Sequence, residues 1–393
     1  MMEIGAHRDA EFAGLRRLAR WFADEALPGW ITRGFDRHAG QFVEALDLAG
    51  TAIADPALRV RSAARQIHAV ADAVRLGIGG AGHLALAEAA FDHLHAAAWH
   101  GEGAGGYGRV IDRRARTMTD GTRDLYDNAC VLLAIASLLR VTGRQRYRQE
   151  AERLLAAIDD LLGTVTGGWA EDERGTLPRR QNPHMHMFEA LLALFAATGA
   201  PEHRRRLDAV HALFRARFFD DGRGVLREFF GPEWQIDARF GSDRLEPGHM
   251  CEWVALLGRY ARLTGEDVGA APERLLSTAL RIGRGGGALL VDEVDERGAV
   301  LQPSRRLWPQ AELVKAWLAR FAATGEAESL RAADSVATEM QDLYLAHTPR
   351  GTWRDQFDLD GAMLAKTIPS SSLYHLGTVV AACLDPGPGS AGG

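Results

Sequence analysis

The residues that could do chemistry in this chain cluster at the starts of helical runs. Asn182-Pro183-His184-Met185-His186-Met187-Phe188-Glu189-Ala190 opens one run, with Asn182 suited as its N-cap and Pro183 to its first helical position. Others open at Glu246-Pro247-Gly248-His249 with Glu252-Trp253, and at Trp308-Pro309-Gln310 with Glu312. Three more carry Arg61 with Arg65-Gln66-Ile67-His68, Tyr126-Asp127-Asn128, and Tyr374-His375 behind Ser370-Ser371-Ser372. His184 and His186 are two residues apart, so on a helix they point to nearly opposite faces. At most one of them faces a shared pocket, and they are not expected to share a metal.

Each of these residues alone is more often structural than functional. Their recurrence at one end of one set of helices is what points to a site. His186, His249, His375 and Arg65 then come together from four helices, with Glu189, Glu252, Glu246, Gln310, Asn182, His184, Tyr126 and Trp308 around them. Imidazoles beside a guanidinium suit proton transfer next to a carbonyl: a histidine removes the proton and arginine stabilises the developing oxyanion. Glutamate and glutamine can hold sugar hydroxyls, and tryptophan can cover an apolar sugar face. A helix start lowers a histidine's pKa, which keeps it a neutral base. The rate is therefore expected to fall on the acid side, somewhere between about pH 5 and 8. Glu189 and Glu252 alone could serve a glycoside hydrolase, but that leaves the histidines without a role.

The elements that must position these residues are helices. Amphipathic runs begin near residues 9, 57, 82, 123, 144, 182, 201, 245, 268, 307, 326 and 371, about twelve in all. Short connections carry Gly77, Gly143, Gly199, Gly265 and Gly325, the last four each preceded by threonine. They repeat at roughly 60-residue intervals, with glycine as the left-handed helix stop. Long connections cover 26–55, 99–122, 164–181, 220–244, 284–306 and 344–370, with strand-like alternation at 224–230 and 288–294. Six helical hairpins of this kind fit an all-α (α/α)6 barrel with short β-hairpins gathered at one mouth; the alternative is an open α-solenoid. One catalytic domain is expected over 1–384, with a flexible tail over 385–393.

Composition narrows the class. The formal net charge of −6 and the absence of a basic run argue against nucleic acid as partner. Cys130, Cys251 and Cys383 are far apart in apolar surroundings and read as reduced thiols of a cytoplasmic protein. The N-terminal stretch lacks an apolar core of the signal-peptide kind, and no apolar run is long enough to suggest a membrane span. No dinucleotide or P-loop fingerprint, HExxH motif or cysteine cluster is present, so no cofactor and no metal are expected. Arg179, Arg180, Arg305 and Arg306 lie in mouth loops. They could hold a substrate anion, although solvated loop charges are the favoured reading.

These motifs resemble the N-acylglucosamine 2-epimerase superfamily, which includes cellobiose 2-epimerases, D-mannose isomerases and sulfoquinovose isomerases. The resemblance covers nearly the whole chain and leans toward the mannose isomerase branch through the Asn182–Ala190 and Arg65–His68 stretches. It implies an (α/α)6 barrel, a monosaccharide substrate, and metal-free conversion through ring opening and a cis-enediol. By the same resemblance, Arg65 is the essential arginine, His186 the pocket histidine, and His249 and His375 the acid/base pair. Mannose–fructose isomerisation, 2-epimerisation and a sulfoquinovose-type isomerisation remain open at this point, as does a sugar-binding scaffold without turnover.

Overall fold

Thr142-Gly143, Thr198-Gly199, Thr264-Gly265 and Thr324-Gly325 end four helices in one way. Each glycine takes a left-handed backbone, with φ between 60° and 75°. Each threonine hydroxyl donates to the carbonyl four residues back at 2.7–2.9 Å and accepts the amide two residues ahead at 3.2–3.3 Å. The threonine thus caps both sides of the turn that glycine makes possible. The next helix starts within two residues of the glycine in three cases, and at Ala271 after Gly265, and packs back on the one before.

The computed structural model describes residues 12–101, 103 and 105–384. The tail at 385–393 and the helix start expected near residue 9 lie outside the described residues. Helix α1 runs Ala13–Trp21 and continues through a π turn at Phe22–Ala26 into Leu27–Gly34. It is followed by α2 (Val60–Arg75), α3 (Ala81–Ala98), α4 (Leu125–Thr142), α5 (Gln145–Leu162) and α6 (Gln181–Thr198). Then come α7 (Pro201–Leu213), α8 (Pro247–Thr264), α9 (Ala271–Ile282), α10 (Leu307–Thr324), α11 (Ala327–Met340) and α12 (Ser371–Leu384).

The even-numbered helices form an inner ring. Each packs on the next in chain order, and α12 packs on both α10 and α2. That last contact closes the ring and rules out the open solenoid. Inner helix α4 is apolar nearly all round, as a helix enclosed on every side must be, and is buried without a break from Asp127 to Leu139. By length and composition α4 could cross a bilayer, but most of it is enclosed within this ring. The odd-numbered helices wrap the outside. Five inner–outer pairs are sequential hairpins; the sixth joins the two ends of the chain, because α1 packs on α12. The five short Gly-bearing connections join the five sequential pairs, and the closing pair has no connection of its own. No local sequence signal marks it, since its partners lie at opposite ends of the chain.

The long loops meet at the N-terminal ends of the inner helices and are stitched together by short antiparallel ladders. The 224–230 stretch, expected as one strand, splits in two. Val225–Leu226 pairs back on Phe219–Asp220, and Phe229–Phe230 crosses to Arg179–Arg180 just ahead of α6. Ala45–Leu46 pairs with Ile368–Pro369, which ties the first long loop to the last. In the 288–294 stretch, strand begins only at Glu293.

Candidate active site

Side chains from all six inner helices converge inside the mouth of the ring. Arg65 projects from α2, Tyr126 from α4, His186 and Glu189 from α6, His249 and Glu252 from α8, Trp308 and Glu312 from α10, and Tyr374 and His375 from α12. Arg65 Nη2 donates to the Tyr126 hydroxyl at 2.8 Å and contacts His186 Nε2 at 3.0 Å. Its guanidinium also lies over the rings of Tyr374 (4.6 Å) and Tyr126 (5.1 Å). Arginine cannot accept a hydrogen bond, so Nε2 of His186 must be the acceptor. The proton then sits on Nδ1, which donates to Glu189 Oε2 at 3.3 Å. Burial and the neighbouring Arg65 hold His186 neutral, with its pKa down at about 3. Tyr126 stacks on this imidazole at 4.9 Å, and Tyr374 donates its hydroxyl to Glu189.

The other two histidines flank one indole. Trp308 lies 5.0 Å from the His249 ring and 5.6 Å from the His375 ring. Their electrostatics are opposite. His375 Nδ1 donates to Glu312 Oε1 at 2.8 Å, but Lys315 Nζ sits 2.7 Å from the other oxygen of that carboxylate. Burial lowers the His375 pKa to about 4; Glu312 acts against this, and Arg65 and Lys315 reinforce it. His249 is equally buried, yet its Nδ1 is 3.0 Å from Glu228 and 3.6 Å from Glu246. The two carboxylates overcome desolvation and push its pKa up to about 10. One imidazole is therefore held neutral and the other charged.

The chain matches the N-acylglucosamine 2-epimerase (GlcNAc 2-epimerase) family model over residues 40–379. It is also 33% identical over 377 residues to the mannose-6-phosphate isomerase of Rhizobium meliloti (strain 1021), covering 91% of this chain and 94% of that protein. It belongs to the N-acylglucosamine 2-epimerase family. Two solved structures share the fold of this family member. A cellobiose 2-epimerase from Spirochaeta thermophila matches with a TM-score of 0.85 at 20% identity, over 97% of this chain and 99% of its own. A D-mannose isomerase matches with a TM-score of 0.81 at 21% identity, over 98% and 99%. As a member of the GlcNAc 2-epimerase family, the protein is a sugar isomerase or epimerase, and the fold class read from its helix pattern stands.

The family member's helix starts also carry residues that do not reach the pocket. His184 is fully buried in a cage of Trp169, Phe218 and Trp234. Its Nε2 accepts the Trp169 amide at 3.1 Å and its Nδ1 meets the Arg180 carbonyl at 3.0 Å. It is a structural pin rather than a substrate ligand. His184→Ala is expected to cost about 2–4 kcal/mol in stability, for a buried ring and two hydrogen bonds; urea unfolding would measure it. Gln310, also expected against substrate, spans Leu290 N (2.8 Å), Leu290 O (2.9 Å) and Arg306 O (2.9 Å) instead. It fastens a mouth loop to α10. Asn182 is not the N-cap: α6 begins at Gln181, and extended Arg180 precedes it. The ladder with Phe229 holds Arg180 in that extended form, which moves the helix start back.

Glu228 escaped the sequence reading because it lies in a loop, off the inner helices. Its Oε2 receives Gln181 Nε2 at 2.8 Å and faces His249 Nδ1 at 3.0 Å. Gln181 is fixed in turn by Trp253 Nε1 at 2.7 Å. Trp253 therefore supports His249 from behind and packs on Phe214 and Phe188. Glu246, at the mouth end of α8, completes the carboxylate pair around His249. Glu189 and Glu252 do not form an open hydrolase pair. Glu189 is covered by His186 and Tyr374, and both oxygens of buried Glu252 lack a hydrogen-bond partner. Burial and nearby Glu312 raise the Glu252 pKa to about 8, which keeps it neutral at pH 7.

Among the described residues, two groups of donors have metal-like spacing: His186, Glu189 and Glu252, and Glu228, Glu246 and His249. In the first, His186 Nδ1 faces both carboxylates, at 3.3 and 3.9 Å, and carries the imidazole proton because Nε2 accepts from Arg65. In the second, Nδ1 of a protonated imidazole faces the carboxylates. Both groups are built around an imidazole N–H in the place a cation would take.

Proposed function

We propose that the protein interconverts D-mannose and D-fructose through a cis-enediol. The carrying observation is the pair of imidazoles in opposite protonation states across Trp308, with Arg65 alongside. The sugar ring opens, and His375 Nε2 takes the proton from C2. The C2–H electrons form the C1–C2 double bond and the carbonyl electrons move onto O1. Arg65 stabilises that enediolate, and His249 gives O1 a proton. The O2 proton then passes to His249, a carbonyl forms at C2, and His375 returns its proton to C1. Both histidines end the cycle as they began.

That closure favours isomerisation over 2-epimerisation. Delivering a proton from His249 to the opposite face of C2 would leave His249 neutral and His375 charged. Both states run against the environments described above. Separating fructose from glucose after incubation with mannose tests the reading. Glucose as the main product would establish the epimerase instead.

The R. meliloti relative's name supplies a second reading, with a phosphorylated sugar as substrate. The mouth arginines speak for the free sugar. Arg179 is buried, donates to the Trp169, Gly167 and Pro232 carbonyls and stacks on Trp234. Arg305 donates to the Leu359 and Arg284 carbonyls. Neither is a solvated loop charge, and neither is open to a phosphate. Arg180 is paired with Glu171, Arg61 with Asp127, Arg244 with Glu293 and Arg306 with Asp292. We therefore expect kcat/KM for mannose to exceed that for mannose 6-phosphate, and a side-by-side assay decides it.

Two further outcomes follow from the same electrostatics. With the base near pKa 4, it is neutral from pH 5 upward, so the acid limb lies near pH 4 and not between about 5 and 8. The difference from the helix-start argument is one of neighbours: burial, Arg65 and Lys315 act together at His375, whereas two carboxylates override burial at His249. The alkaline limb should start near pH 8, where Glu252 ionises and competes with the enediolate for Arg65. Glu252→Gln should extend the plateau toward pH 10, where His249 loses its proton. An unchanged alkaline limb in that variant would remove Glu252 from the account. The donor groups also support a metal-independent reaction, so dialysis against EDTA should leave the rate intact. The reduced-thiol argument supports a cytoplasmic setting, with Cys130 and Cys251 enclosed in inner helices.

A further inference from the structure

Glu228 is held in place by residues that do not touch the pocket. Its Oε2 accepts two hydrogen bonds, from Gln181 Nε2 at 2.8 Å and from His249 Nδ1 at 3.0 Å. An indole N–H can only donate, so Trp253 Nε1, 2.7 Å from Gln181 Oε1, fixes which end of that amide faces Glu228. The backbone is pinned as well. Gln181 N donates to the Glu228 carbonyl at 3.1 Å, and Phe229 pairs with Arg180. Gln181, Trp253 and Glu228 are all buried, and the other Glu228 oxygen, Oε1, has no partner.

Glu246 and Glu252 at α8 and Trp308 from α10 complete the surroundings of His249. Glu246 is farther from the ring, at 3.6 Å, and burial pushes its pKa up to about 7, so it is partly protonated at neutral pH. Glu252 is neutral there. Glu228 therefore carries the charge nearest the imidazole.

We propose that Glu228, clamped by Gln181, is a positioning residue that decides the product: its charge keeps the proton on His249 and so directs the enediol to the ketose rather than to the C2 epimer. On the isomerase reading, on which this rests, both routes begin when His375 takes the C2 proton. On the ketose route His249 protonates O1, recovers the O2 proton as the C2 carbonyl forms, and ends charged. On the epimer route the O1 electrons re-form the C1 carbonyl, and the double-bond pair takes a proton from His249 at the opposite face of C2. His249 then ends neutral, and His375 keeps the proton that came from C2. A neutral His249 strands the Glu228 charge in a buried site, so only the ketose route returns the site to rest.

Glu228→Gln isolates the charge. Its amide oxygen can accept both hydrogen bonds that Oε2 accepts, and its nitrogen falls where Oε1 has no partner. The test uses the full chain with mannose and compares initial rates of fructose and glucose formation in wild type and variant. The His249 titration is followed by NMR of isotope-labelled histidine, assigned against His249→Asn. Glu228→Gln should raise the glucose-to-fructose ratio about tenfold or more and move the His249 titration to lower pH. Gln181→Leu takes a donor from Glu228 but leaves the carboxylate. It should move both readouts the same way and less far, which covers the case in which Glu228→Gln does not fold. Fructose from the wild type with an unchanged ratio in both variants would overturn the proposal alone, as would a His249 titration that neither variant moves. Glucose as the main wild-type product would overturn the mannose reading instead, and the titration would then decide whether Glu228 holds the proton.

Discussion

His375→Asn is expected to lower kcat about 10³-fold or more while changing KM less than tenfold, because it removes the base and leaves the pocket walls in place. Asparagine can still donate toward Glu312, so the Glu312–Lys315 pair keeps a partner on that side. What disappears is the lone pair on Nε2. Exchange of the C2 proton of mannose in heavy water should vanish with it, and the circular dichroism spectrum should not change. His249→Asn should behave differently. It removes the acid and loses turnover, but His375 can still take the C2 proton, so exchange should outlast product formation. If exchange persists in His375→Asn and is lost in His249→Asn, the two roles are reversed. The distinction is sharp because the two sites hold their protons for opposite reasons. Glu312 is offset by Lys315, whereas Glu228 and Glu246 have no comparable lysine beside them.

These assignments needed the structure, although their residues stood in plain view in the sequence. The Thr-Gly pairs disclosed the repeat because a helix stop is a local event. The pairing of α1 with α12 carries no such local mark, because it joins the chain's ends. Histidines on inner helix starts were recognisable as a group, yet His184 and His186 begin the same helix and part company by side. One enters an aromatic cage and the other meets Arg65. No spacing rule separates them, since which face points inward is set by packing on α4 and α8. Gln310 misled for a related reason: its amide is as well suited to three backbone groups as to a hydroxyl. The protonation states were the least legible of all. The dipole argument treats every helix start alike, but His249 is governed by Glu228, which arrives from a loop 21 residues upstream.

Arg65→Lys should lower kcat/KM by about 10²–10³, or roughly 3–4 kcal/mol of transition-state stabilisation, although it keeps the formal charge. Arg65 spends one terminal nitrogen on Tyr126 and His186, which fixes the plane of the guanidinium. Its Nε–H is buried without a protein acceptor, so the fork retains donor capacity beyond those anchors. A lysine ammonium reaching the same anchors would have no planar second edge to give an enediolate oxygen. It would also lie between the Tyr126 and Tyr374 faces in a fully enclosed site, where an amine sheds its proton far more readily than a guanidinium. The loss should therefore deepen as pH rises in Arg65→Lys, while the wild-type rate holds on its plateau. Added guanidinium should restore part of the activity of Arg65→Ala but not of Arg65→Lys, whose side chain fills the space. Wild-type turnover by Arg65→Lys across the plateau would mean that a point charge suffices, and the planar donor would lose its place in the mechanism.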